Sequence, residues 1–169
     1  PINKSIEVNL SKIFSENHKY VGIAPGAGEE NKIWPLNNYI EIGKYLESKD
    51  YIIVYYLGPN EKGYEKILKQ NFQNAIFLEN EKSLDSFSNI EIIMASTKFL
   101  KFAISNDSGV SHMLSTNYCP LIKLFGPKDS VKFTPKLKNL ITVSSSELNS
   151  DKIEDISTSR VINAIEDLD

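Results

Sequence analysis

A doubly wound α/β fold with a parallel sheet is what this sequence predicts, and three observations predict it. Short apolar runs alternate with segments whose apolar residues recur at helical spacing. One run, residues 51–57, is continuously β-branched and aromatic, as in strands buried on both faces. Two of the runs end in glycine-bearing loops, and such sheets bind ligands beyond the carboxyl ends of their strands.

The elements follow in order. Residues 20–24, Tyr-Val-Gly-Ile-Ala, form a first strand that Pro25-Gly26 stops. Leu36, Tyr39, Ile40, Gly43 and Leu46 share a helical face, and Pro35 sits where a first turn accepts proline. Residues 51–57 give a second strand, ended by Gly58-Pro59. Tyr64, Ile67 and Leu68 mark a second helix, and residues 75–78 a short third strand. Leu84, Phe87, Ile90, Ile93 and Met94 predict a third helix. A fourth strand over 99–105 runs into a helix over 108–116, and residues 121–125 form a fifth strand ended by Gly126-Pro127. Residues 140–143 read as a sixth strand, 144–150 as a polar linker, and Val161, Ile162, Ile165 and Leu168 as a closing helix. Residues 1–19 carry no strong pattern and read as a lead-in or linker; 20–169 read as one Rossmann-like domain. With strand order 3-2-1-4-5, strands one and four are neighbours where the order reverses, so loops 25–34 and 105–110 converge on one crevice.

Composition excludes several functions. A net charge of −3 and a pI near 5.5 provide no basic field for nucleic acid. No apolar run approaches the ~18 residues of a membrane span, and the start is not a signal peptide. Pro1 in place of a starting Met suggests a piece of something longer. The single cysteine, Cys119, excludes an internal disulfide, fits a reducing compartment and reads as core.

The chemistry concentrates in the two loops. Residues 105–112, Ser-Asn-Asp-Ser-Gly-Val-Ser-His, join a strand directly to a helix. Asp107 or Ser108 can cap that helix, Gly109 lets backbone approach a ligand, and free N–H groups favour an anion such as phosphate. The loop containing Gly26 and Gly28 is not a dinucleotide fingerprint, because Asn31 stands where a third glycine is needed. Gly58 to Gly63 has P-loop spacing, but Tyr64-Glu65 replace the required Lys and Ser/Thr. Taken singly, Lys32, Glu29 and Glu30 read as solvated, Trp34 as core, Asp107 as a cap and His112 as a packed histidine. No metal-ligand spacing and no Ser/His/Asp triad is legible.

The set is more specific than its parts. Pro25-Gly-Ala-Gly, Lys32-Ile-Trp-Pro35, Asn106-Asp-Ser-Gly-Val-Ser-His112, Leu124-Phe-Gly-Pro127 and Phe133-Thr-Pro135 occur in this order. The set resembles the C-terminal half of glycosyltransferase family 9, the lipopolysaccharide heptosyltransferases, over about residues 21–137. The resemblance implies a GT-B architecture, of which this chain is the C-terminal, donor-binding Rossmann-like half, taking a nucleotide-diphosphate sugar such as ADP-heptose without a metal or other cofactor. It implies Lys32 on the diphosphate, Gly26 and Gly28 in the same loop, and Asp107, Ser108, Gly109 and Val110 on phosphates and sugar. Glu61 or Glu65 would hold the ribose, and Ser83 and Leu84 would border the adenine. Trp34 and His112 would give structural support, His112 from beneath the turn. The general base and acceptor pocket would lie on an N-terminal Rossmann-like partner domain, so no catalytic residue is expected in this chain. Glycan synthesis of this kind implies a cytoplasmic location, either free or peripheral at the inner membrane. The alternatives are a GT-B half for another nucleotide sugar and a non-catalytic nucleotide-binding module; the failed fingerprint disfavours a nicotinamide-dependent oxidoreductase.

Overall fold

The computed structural model describes residues 4–126 and 139–168. Six strands form one sheet in the order β3-β2-β1-β4-β5-β6, and every pairing is parallel. The strands are β1 (Lys19–Ala24), β2 (Tyr51–Tyr55), β3 (Ile76–Phe77), β4 (Leu100–Asn106), β5 (Leu121–Phe125) and β6 (Leu140–Ser144). Among the described residues the α-helices are α1 (Lys4–Ile13), α2 (Leu36–Ser48), α3 (Lys62–Asn71), α4 (Asn89–Ser96), α5 (Gly109–Leu114) and α6 (Thr158–Glu166). No helix among the described residues is long and apolar enough to cross a membrane.

Period-2 alternation along the strands sends side chains to two faces, and each face has its own core. On one, Val21, Ile23, Ile53, Ile104 and Ile122 pack beneath α2, α3 and α6. On the other, Ala24, Val54, Ala103 and Leu121 pack beneath α1, α4 and α5. The lead-in contributes to this second core: Ile6, Leu10 and Phe14 are buried there.

Four elements differ from the sequence pattern. Residues 4–13 of the patternless lead-in form the helix α1. The third predicted helix begins only at Asn89, because Ser88 caps it: its hydroxyl accepts the Glu91 N–H, and the Glu91 carboxylate accepts the Ser88 N–H. Residues 82–84 instead form a separate 3₁₀ turn. The helix after β4 has six residues rather than nine, ending at Leu114. The polar stretch 144–150 is not a loose linker: Ser144 ends β6, and the buried Ser145 hydroxyl bonds the carbonyls of Gly126 and Ser150 at 3.1 and 3.0 Å.

Candidate functional site

The loops after β1 and β4 meet above the sheet because β1 and β4 are paired, Ala24 beside Ser105. Asn106, the last residue of β4, ties them together. Its Oδ1 accepts the Trp34 backbone N–H at 3.2 Å and the Tyr39 hydroxyl at 2.8 Å. Its Nδ2 donates to the carbonyls of Pro25 and Gly26 at 2.8 and 3.3 Å. Only a carboxamide offers two donors and two acceptor positions at one site; an aspartate could not donate. Trp34 reinforces the anchor. Its ring is fully buried, meets Tyr39 edge-on at 5.0 Å, and its Nε1 donates to Ile156 O at 2.9 Å.

Between the loops lies a cleft of about 270 Å³. Gly26 and Gly28 form one wall, Ser108, Gly109 and Val110 another, and residues 58–61 a third. These glycines serve space rather than dihedral freedom, since no glycine among the described residues has a positive φ. A Cβ on Gly26 would fall 2.3 Å from the Glu61 carboxyl carbon, whereas a Cβ on Gly28 or Gly109 would meet nothing within 4 Å. Gly26 therefore admits Glu61, and the other two leave backbone open. Glu61 is buried and accepts the Gly58 N–H at 2.8 Å. Glu65 faces elsewhere, joined to Lys69 and Asn80, and Lys69 holds its carboxyl below the usual range.

A second chamber of about 210 Å³ adjoins the first and shares Tyr56, Gly58, Val110 and Met113 with it. Leu57, Leu78, Ile90 and Ile93 make it apolar, and Glu79 sits at its edge, with burial pushing that carboxyl above its usual range. The sequence does not reveal this chamber, because apolar residues at strand ends and on α4 look like ordinary core. Ser83 and Leu84 do not line it: Leu84 is buried in the core, and Ser83 is exposed, its carbonyl accepting from Asn9 Nδ2.

Three other predicted residues are placed differently from expectation. Lys32 is ion-paired with Glu29 across the 3₁₀ turn 30–32, so that glutamate is not simply solvated. His112 is exposed and does not sit beneath the 107–110 turn. On a helix this short the buried positions are Ser111 and Leu114, and the Ser111 hydroxyl bonds Ser108 O at 2.6 Å. Asp107 pairs with a residue the motif reading missed: Lys123 Nζ lies 2.7 Å from Asp107 Oδ1. The available signal was a lone lysine inside the apolar run of β5, which needs a counter-charge once that run is buried. The predicted elements at Pro127 and 133–135 lie outside the described residues.

A parallel Rossmann-like sheet with a glycine-walled cleft and an apolar chamber side by side at its switch point is the layout of a nucleotide-binding domain. Residues 3–160 match glycosyltransferase family 9 (heptosyltransferase), and the chain belongs to that family. It is 30% identical over 139 residues to lipopolysaccharide heptosyltransferase 2 of Escherichia coli, covering 80% of this chain and 38% of that protein. It is 30% identical over 135 residues to lipopolysaccharide heptosyltransferase 1 of Campylobacter coli, covering 76% and 39%. Its fold matches a family 9 glycosyltransferase from Veillonella parvula with a TM-score of 0.77 at 18% identity, covering 98% of this chain and 50% of that one. It matches an E. coli heptosyltransferase solved with ADP at 0.75 and 19% identity, covering 96% and 48%. The chain thus spans well under half the length of the curated relatives it matches.

Proposed function

We propose that this chain is the donor-binding half of a heptosyltransferase-like, inverting GT-B glycosyltransferase acting in lipopolysaccharide or cell-surface glycan synthesis on the cytoplasmic side of the membrane. The observation that carries the reading is the pair of joined chambers. The diphosphate lies in the glycine-walled one, over the open backbone of Gly28 and Gly109 and the N–H groups that begin α5. The base lies in the apolar one, against Leu78, Ile93 and Met113. A family relative solved with ADP supports adenine as the base, and the names of the relatives support a heptose. Glu61, which lines the first cleft and accepts from Gly58 where the two chambers meet, is the ribose partner. Lys32 reaches the diphosphate by exchanging Glu29 for it, and Asp107 accepts from sugar hydroxyls.

The reaction needs an acceptor hydroxyl deprotonated as it attacks the anomeric carbon while the diphosphate departs. The residues described here serve the departing side. The acceptor base belongs to an N-terminal Rossmann-like partner domain, so this chain alone hydrolyses donor slowly at most.

Calorimetry with ADP, UDP, GDP, CDP and NAD, in EDTA and again in magnesium, tests the reading. ADP should bind best and without metal, with Kd of ~0.1–1 mM because the partner domain's contacts are missing. Binding that requires magnesium, or NAD outcompeting every nucleoside diphosphate, refutes it.

A further inference from the structure

We infer that Lys123 is a positioning residue of the donor site, fixing the Asp107 carboxylate and, through it, the 107–110 turn. The ligand in this inference rests on the donor-binding reading; the mechanics rest on the geometry.

Lys123 stands in the interior of β5 and is 2% exposed. It is in register with Ser105 of β4, on the face where Leu121 and Ala103 pack under α5. Its Nζ lies 2.7 Å from Asp107 Oδ1 and 5.1 Å from the centre of the Phe125 ring. A buried ammonium is stable only beside a counter-charge, so the lysine confines the carboxylate to its own side of the turn. Among the described residues this is the one ion pair reaching the 107–110 turn. The backbone is held at the same place, since the Asp107 N–H donates to Leu124 O at 3.1 Å. β5 thus grips the residue twice, once through main chain and once through charge.

The grip answers a chemical difficulty. A carboxylate next to a diphosphate repels it, yet a hydroxyl acceptor is wanted beside the sugar. Lys123 offsets the charge and fixes its direction, so Asp107 can accept from a hydroxyl without turning toward the phosphates. The flanking hydroxyls of Ser105 and Ser108 are buried and have no protein partner, so neither substitutes for the lysine in holding the turn.

The test compares the 169-residue chain with Lys123→Met, close in volume, and Lys123→Gln, uncharged but still a donor. Backbone amide shifts are recorded without ligand, and affinities are measured for ADP and ADP-heptose. The amides of residues 107–110 should move while those of α2 and β2 stay put. ADP-heptose should weaken about tenfold, the order of one charge-assisted contact, and ADP by less. Unmoved 107–110 amides overturn the inference. So do amide changes spread through the sheet with equal losses for both ligands, the mark of a merely structural role. If the unsubstituted chain binds neither ligand, the donor reading fails, and the amide comparison alone decides Lys123.

Discussion

Asn106 and Asp107 are neighbours in sequence and opposites in structure. Asn106 is fully buried and spends its whole hydrogen-bonding capacity on protein, gripping Pro25, Gly26, Trp34 and Tyr39. Asp107 keeps part of its side chain in solvent and pairs with one buried cation. The strand's alternation separates them, sending Asn106 to the α2 face while Asp107 emerges into the turn. A motif of adjacent polar residues thus divides into a scaffold half and a working half, with the open backbone of Gly109 just beyond.

The sharpest way to break this contrast is Asn106→Leu. Removing the amide orphans two donors and two carbonyls in a buried site, which should cost about 5 kcal/mol in urea unfolding. Trp34→Ala attacks the same anchor and should cost about 4 kcal/mol. A loss under about 1 kcal/mol for both would show that the loop does not depend on this anchor.

Asp107→Ala should cost less, about 3 kcal/mol, chiefly by stranding the Lys123 charge. Adding Lys123→Met to it should recover most of the loss in the same measurement. Failure of the second change to recover stability would mean that the stranded charge is not the cause. No such rescue partner is expected for Asn106→Leu, because its effect is spread over four groups.

Lys32→Ala should leave unfolding within about 0.5 kcal/mol, since its partner Glu29 is largely exposed. Calorimetric ADP affinity should fall by about 2 kcal/mol. The opposite split, stability lost and affinity kept, would move Lys32 from the working half to the scaffold.

The smallest expected effect is at Cys119, a scaffold residue. Burial pushes its thiol up to about 12. Below about pH 8.5 both folded and unfolded states hold the proton; above it only the unfolded chain releases it. Stability should therefore fall by up to about 1.4 kcal/mol per pH unit above that point, and the fall should be shallower in Cys119→Ala between pH 8.5 and 9.5. Identical slopes would mean that the thiol is not shielded.

The sequence by itself determined the layers, the strand order around the switch point and the meeting of the two glycine-bearing loops. Each of these follows from local periodicity and from the handedness of parallel crossovers, which act over short stretches of chain. It also determined family membership, because the loop motifs stand in a legible order. Tertiary structure alone decided which polar residue does what. Lys123 and Asp107 are sixteen positions apart, and Asn106 and Trp34 seventy-two, so neither pair leaves a local trace. The apolar chamber is of the same kind: Tyr56, Leu78, Ile93 and Met113 come from four separate segments. Burial against core and burial against a cavity demand the same residue types, and only the packing distinguishes them.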